Sequence, residues 1–207
     1  MSISAEMVRK LREETGAGMM DCKSALVEAK GDAEAARDVL RKKGLAAAAR
    51  KAGRTASDGM IGHYIHPGAK IAVLVEVNCE TDFVAKTPEV QALVKDVAML
   101  IAASSPLYVR AEDAPREILD KEREIYKAQA AAQGKPGNVQ DRIAEGKLKD
   151  YYAQFCLLEQ PFVKDPKLSV GQLVQERIAL LKENIVVRRF ARFKVGEQAT
   201  AGTAEAE

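Results

Sequence analysis

Apolar residues recur at helical spacing in three short segments at the start of the chain. Ser4 can cap the first helix, which ends near Gly16. The second helix is predicted from about Met19 to Ala29, and the third starts after Asp32 and ends at Gly44. The positions predicted to face inward are Met7, Val8, Leu11, Cys22, Ala25, Leu26, Ala29, Val39 and Leu40. Such short helices predict a minimal bundle with a small core.

The pattern then changes to the alternation that is typical of strands. Two strands are predicted, from Gly59 to His66 and from Lys70 to Glu80, with a tight turn at Pro67-Gly68 between them. In the second strand one face is apolar throughout, whereas the other face becomes polar at its far end. This strand is therefore expected to end half exposed. A third strand is predicted from Ile185 to Val195.

The remaining apolar positions return to helical spacing. Thr87-Pro88 starts a helix that continues to Ser104 and should cover the sheet. Pro115 starts a longer helix to about Gln133, and a return helix runs to Phe155, so the pair is expected to form an antiparallel hairpin. A last helix is predicted from Val170 to Lys182.

Together these elements predict an α+β fold, in which helices pack on a small three-stranded antiparallel sheet. The run Ala46 to Ala49 and the basic and glycine residues after it are interpreted as a linker. The predicted organisation is a three-helix partner-docking domain over 1–45, a linker over 46–56, a core over 57–196 with the hairpin at about 115–155, and a disordered tail over 197–207.

Composition places the chain among ordinary globular proteins. Of its 207 residues, 47% are hydrophobic and 30% are charged, a composition that is typical of folded proteins and not of wholly disordered ones. The first residues lack the features of a signal peptide, and no stretch approaches 18 consecutive apolar residues, so we expect a cytoplasmic protein without a membrane contact. Cys22, Cys79 and Cys156 lie far apart without a CxxC motif, which indicates neither a disulfide framework nor a zinc site.

No catalytic motif is found in the sequence. The two histidines, His63 and His66, are three residues apart on a predicted strand, so they point to opposite faces and cannot chelate one metal. The sequence contains no Walker-type loop, dinucleotide fingerprint or nucleophile elbow. We therefore expect a protein that is not an enzyme and that needs neither a metal nor a cofactor.

The predicted strand from Arg188 to Lys194 interleaves basic and aromatic residues, as single-strand RNA platforms do. The net charge is only +2, which gives little counterion-release drive, so core aromatics with a solvated basic rim are favoured and no direct nucleic-acid contact is expected. An RNA- or ribosome-binding module that uses this strand stays as the alternative function. A third class is a polypeptide-binding adaptor that uses the three-helix domain.

One segment does not show the pattern of a buried core element. Thr81-Asp82-Phe83-Val84-Ala85 joins the half-exposed end of the central strand to the helix at Thr87-Pro88. Phe83 therefore either lies on a surface connector, where an aromatic side chain can anchor a partner, or tucks beneath its own helix.

This segment resembles the signature of bacterial translation elongation factor Ts. Other parts of the sequence are similar to that family in the same order, over about residues 4 to 196. The similar segments are Thr15-Gly16-Ala17-Gly18-Met19-Met20-Asp21-Cys22-Lys23, Leu40-Arg41-Lys42-Lys43-Gly44, Gly134-Lys135-Pro136, Leu157-Leu158-Glu159-Gln160-Pro161-Phe162 and Glu183-Asn184-Ile185. The first two resemble the family's ubiquitin-associated-like N-terminal domain.

The resemblance implies a guanine-nucleotide exchange factor for elongation factor Tu. On this interpretation Asp82 and Phe83 wedge between helices of the GDP-bound GTPase and disturb its Mg²⁺ site. The residues implied in partner binding are Thr81, Asp82, Phe83, Val84, Met19, Met20 and Lys23.

The chain departs from the longer members of that family, which carry two related core modules. It has room for only one sheet hairpin and one returning strand, so contacts of a second module have no counterpart here. We therefore expect a symmetric homodimer, with either the sheet edge or the helical hairpin as its interface.

Overall fold

The computed structural model describes residues 3–197. The tail predicted to be disordered, 197–207, lies outside the described residues except for Glu197.

The described chain has the predicted α+β fold. Its helices are α1 (Ala5–Thr15), α2 (Met19–Glu28), α3 (Ala33–Ala49), α4 (Asp82–Ala85), α5 (Pro88–Ser104), α6 (Arg116–Ala132), α7 (Gly137–Phe155) and α8 (Val170–Leu181). Its strands are β1 (Asp58–Ile65), β2 (Ile71–Cys79), β3 (Pro161–Phe162), β4 (Asp165–Ser169) and β5 (Ile185–Lys194). A three-stranded antiparallel sheet has the order β1-β2-β5, and β3 pairs with β4 in a separate antiparallel ribbon.

The chain forms two compact units, each made of three stretches of sequence. The first unit contains the chain up to Met60, Asn78–Val90 and Gln172–Val186. The second unit contains Ile61–Val77, Gln91–Gly171 and the chain from Val187 onward.

In the first unit the three N-terminal helices enclose a small core, as predicted. Ser4 caps α1 by accepting a hydrogen bond from the backbone N–H of Met7, and α1 ends at Gly16, whose φ is 67°. Asp32 caps α3 by accepting bonds from the N–H groups of Glu34 and Ala35. The buried cluster consists of Val8, Leu11, Cys22, Ala25, Leu26 and Ala36.

Helix α3 is longer than predicted, because it runs through Gly44 to Ala49. A Cβ added at Gly44 would lie 3.1 Å from the Cβ of Ala179 in α8, so glycine at this position permits close helix packing. The alanines after Gly44 have high helix propensity and continue the helix. The end predicted at Gly44 was therefore wrong, and the segment interpreted as a linker begins inside α3.

In the second unit α5 covers one face of the sheet, as predicted. A Cβ added at Gly62 in β1 would lie 1.9 Å from Cγ1 of Val94, so only glycine fits this contact. The residues buried in this part of the chain include Val73, Val75, Val77, Val94, Val97 and Ile101.

Helices α6 and α7 form the predicted antiparallel hairpin. Ion pairs join them between Arg123 and Glu145 at 3.1 Å and between Lys127 and Asp141 at 3.0 Å. The ribbon of β3 and β4, which follows α7, was not predicted.

Candidate functional site

The segment that carries Phe83 is a single helical turn at the end of the central strand. Thr81 caps α4, and its side chain accepts a bond from the backbone N–H of Val84. Ala85 on the inner side of this turn is buried, whereas the Phe83 side chain on the outer side is 81% exposed. The structure therefore decides between the two placements of Phe83: its ring lies at the surface and not beneath its own helix.

Hydrogen bonds that involve Thr81 fix the beginning of this turn. The backbone N–H of Thr81 donates to Oε2 of Glu183 at 3.0 Å, and the Thr81 hydroxyl donates to Oε1 of the same carboxylate at 2.7 Å. The buried Cys79 thiol donates to the carbonyl oxygen of Thr81 at 3.0 Å. Burial, followed by the nearby Glu183 carboxylate, raises the pKa of the Cys79 thiol, so this group keeps the proton that it donates.

The end of the turn is fixed as well. The Thr87 hydroxyl donates to the carbonyl oxygen of Val84 at 2.7 Å, immediately before α5 starts. The Lys86 ammonium donates to Oδ2 of Asp82 at 2.6 Å, and this hydrogen bond raises the pKa of Lys86. Asp82 and Val84 are half-buried. The backbone of α4 is thus held on both sides of the exposed Phe83 ring.

The second group of predicted site residues lies on α2. Met19, Met20 and Lys23 are exposed, and the side chain of Met20 is 72% exposed. Cys22, Ala25 and Leu26 on the opposite face of α2 belong to the buried cluster. Methionine side chains are flexible and polarisable, which suits a surface that adapts to a partner.

Val27 extends this face of α2 and was missed by the sequence analysis. It is exposed, and it follows Met20 by seven residues, which places both on one side of the helix. The seven-residue spacing was the available signal. The α2 group and the α4 group lie on different elements of the same compact unit.

The basic strand that carried the alternative function has most of its charges paired. Nε of Arg189 lies 2.7 Å from Oε2 of Glu76, and Nη1 of Arg192 lies 2.8 Å from Oε2 of Glu197. Lys194 is 3.8 Å from the same Glu197 carboxylate. Charges neutralised within the chain contribute less to phosphate binding, so this strand is a weak candidate for an RNA platform.

One face of the three-stranded sheet carries exposed apolar side chains. The backbone N–H of His66 donates to the carbonyl oxygen of Ile71, and the backbone N–H of Val195 donates to that of Lys70. These bonds set the register of the three strands, and the register determines which residues share a face. The exposed apolar residues on this face, called the open sheet face below, are Ile61, Ile65, Leu74, Phe193 and Val195. The interfaces expected from the sequence were the sheet edge or the helical hairpin, and this face was not among them. The alternation of Ile61 and Ile65 along β1 was the available signal.

Two features are absent from the described part of the chain. Across residues 3–197, no helix is both long enough and apolar enough to span a bilayer. In the same range, no cluster of three or more His, Cys, Asp or Glu side chains is arranged to hold a metal ion.

Known proteins of one family are similar to this chain over nearly its whole length. A family model described as elongation factor TS matches residues 6–197. The elongation factor Ts of Caldanaerobacter subterraneus subsp. tengcongensis is 60% identical over 195 residues, which cover 94% of this chain and 98% of that protein. The elongation factor Ts of Geobacter sulfurreducens is 59% identical over 197 residues, which cover 95% of this chain and 91% of that protein.

Proposed function

Because the chain belongs to the elongation factor Ts family of translation elongation factors, we propose that it promotes GDP release from elongation factor Tu. The observation that carries this proposal is the exposed Phe83 ring on a turn whose backbone is fixed at both ends. An aromatic side chain held in this way is a suitable binding hot spot, because little conformational entropy is lost when it enters a pocket. The protein acts in the cytoplasm by binding, so it is not an enzyme and uses no cofactor.

The mechanism that we propose is a displacement of the partner's Mg²⁺ site. Phe83 enters between helices of the GTPase, and Asp82 brings a carboxylate beside it. Mg²⁺ demands near-ideal octahedral geometry and bridges the nucleotide phosphates, so a small shift of its ligands weakens GDP binding. By linkage, GDP weakens binding of the factor to the GTPase by the same ratio, and each tenfold of this coupling corresponds to about 1.4 kcal/mol.

We infer a second contact through α2. This contact would bind another edge of the GTPase domain through Met19, Met20 and Lys23. Val27 is exposed as well and extends the same surface. Two contacts on one compact unit make the second binding event intramolecular, which raises the overall affinity without strengthening either contact.

We also propose that the protein is a homodimer in which the open sheet face packs against the same face of a second copy. Exposed apolar side chains on a sheet favour face-to-face packing with another sheet. Glu76 and Arg189 share this face and form an ion pair with each other, so the face meets its own copy without unbalanced charge. A two-fold axis would make this interface self-complementary.

The test of the proposed exchange activity is the rate at which fluorescently labelled GDP leaves elongation factor Tu when excess unlabelled GDP is added. Addition of this protein should accelerate release in a concentration-dependent and saturable manner. An unchanged release rate at micromolar factor would refute the proposal. An RNA-binding module would instead bind isolated RNA with an affinity that falls steeply as salt increases.

A further inference from the structure

The end of α8 and the turn after it lie next to the chain segments that hold both candidate contact surfaces. Near the end of α8, a side-chain carbon of Leu180 lies 3.2 Å from where a Cβ on Gly16 would be, at the loop that leads into α2. Lys182 then adopts a left-handed conformation with a φ of 63°, which turns the chain sharply. Glu183 comes directly after this turn and reaches Thr81. Residues 180–183 therefore lie against both the loop that leads into α2 and Thr81, the residue that caps α4.

Thr81 donates hydrogen bonds to the Glu183 carboxylate from both its backbone and its side chain. Both carboxylate oxygens are used, one by the N–H and one by the hydroxyl of the same residue, 102 positions away in sequence. Hydrogen bonds to a charged acceptor are about twice as strong as neutral ones, and two of them also fix orientation. Glu183 thus restrains the first residue of α4 in both position and rotation.

The backbone beside Glu183 is itself held in place. The N–H of the buried Asn184 donates to Oε1 of Glu80 at 2.7 Å, and its side-chain amide donates to the carbonyl oxygen of Arg54 at 2.7 Å. The bond to Arg54 holds the turn after α8 at a point away from Thr81, and the bond to Glu80 joins the turn to the residue directly before Thr81. The Glu183 carboxylate is therefore presented from a rigid frame.

From this arrangement we infer that Glu183 is a positioning residue for nucleotide exchange, one that holds Thr81 so that Phe83 is presented in a single orientation. The inference rests on the proposed function. A one-turn helix has almost no intrinsic stability, so α4 depends on its bonds to the rest of the chain. Without the carboxylate, α4 populates several conformations, and only a fraction of molecules presents Phe83 correctly. The apparent affinity for the GTPase falls by that fraction.

The test measures GDP release as a function of factor concentration for Glu183→Gln. The half-saturating concentration should rise about tenfold, whereas the release rate at saturation should stay near that of the unchanged protein. The matched control is Glu13→Gln, which removes the charge of another surface carboxylate that pairs with Arg9 in the same unit. This control should leave both quantities unchanged.

A variant of Thr81 provides a second test. Thr81→Val removes the hydroxyl that donates to Glu183 and should raise the half-saturating concentration as Glu183→Gln does. In a Phe83→Ala background, Glu183→Gln should have little further effect, because it acts through Phe83.

The outcomes separate this inference from the proposed function. If the unchanged protein does not accelerate GDP release, the proposed function fails. If Phe83→Ala is impaired but Glu183→Gln is not, the positioning role alone is wrong. A lower thermal midpoint for Glu183→Gln, with a parallel loss of the saturating rate, would show a general structural role and also overturn the inference.

Discussion

Asp82 and Lys86 form an ion pair on the surface of α4, with 2.6 Å between Oδ2 and Nζ. Their side chains are four residues apart and both remain accessible to solvent. Exposed pairs of this kind contribute little to stability because solvent screens them, so a partner can separate them at small cost. The Asp82 carboxylate is therefore available for binding even though the free protein pairs it.

Substitution of Phe83 is the most informative single change. Phe83→Ala should lower the rate of GDP release at a fixed factor concentration by about thirtyfold or more, because a hot-spot aromatic contributes about 2 kcal/mol or more. The thermal midpoint should barely change, since the ring is exposed in the free protein. Leu107→Ala, at another exposed apolar position, is the control and should retain exchange. A large drop in midpoint with exchange retained would show that Phe83 is a packing residue.

Asp82 should matter less than its neighbour. We expect Asp82→Ala to reduce exchange about threefold to tenfold, because a peripheral charge mainly affects the approach and orientation of the partner. The reduction should shrink as salt is added, since screening weakens the contribution of the carboxylate in the unchanged protein. GDP release measured at two ionic strengths checks this. An Asp82→Ala defect as large as that of Phe83→Ala would contradict the assignment.

The exposed face of α2 should contribute to affinity. Met20→Ser should raise the half-saturating factor concentration about threefold to tenfold, and Val27→Ser should act in the same direction, because each removes exposed apolar surface from the proposed contact. Val163→Ser, at an exposed apolar position of the second unit, should have no effect. If neither α2 variant changes the concentration dependence, α2 is not a docking element.

The oligomeric state tests the open sheet face. Sedimentation at micromolar concentration should give a species of twice the 22.5 kDa chain mass. Replacing Ile65 and Phe193 together by serine should shift this species to the monomer while the thermal transition stays cooperative. A protein that is monomeric before any substitution, both alone and with the GTPase, would refute the proposed dimer.

Alkaline pH should destabilise the fold through Cys156. Burial is the main cause that raises the pKa of this thiol from 9.0 to about 11. Between these values the unfolded chain releases the proton and the folded chain retains it, so stability falls as pH rises. Cys156→Ala leaves a small cavity but removes this proton linkage. The thermal midpoint of Cys156→Ala should lie below that of the unchanged protein, and this difference should shrink between pH 8.5 and about 10.5. A difference that stays constant over this range would contradict the prediction.

Local sequence signals predicted much of the fold because they act within a few residues. The caps at Ser4 and Asp32 lie where a side-chain oxygen precedes a helical run, and the structure contains both hydrogen bonds. The exposure of Phe83 was one of two placements that the sequence allowed, since the far end of β2 becomes polar on one face.

Features that depend on distant parts of the chain could not be predicted in this way. The close packing of Gly44 against Ala179 in α8 is one such feature, because no local pattern reveals this contact. The bond of Glu183 to Thr81 joins residues 102 positions apart, and neither residue type is unusual at the end of a helix or a strand. The β3–β4 ribbon was missed because β3 has only two residues and both strands contain proline.

The contact of Gly44 with Ala179 also restricts how this chain can change during evolution. With 3.1 Å between the hypothetical Cβ of one residue and the Cβ of the other, a larger side chain on either helix would have to push the two helices apart. The two positions are therefore expected to be epistatic, with most substitutions acceptable at one only in particular backgrounds at the other. Chimeras that exchange the N-terminal helices between relatives should consequently transfer position 179 together with α3.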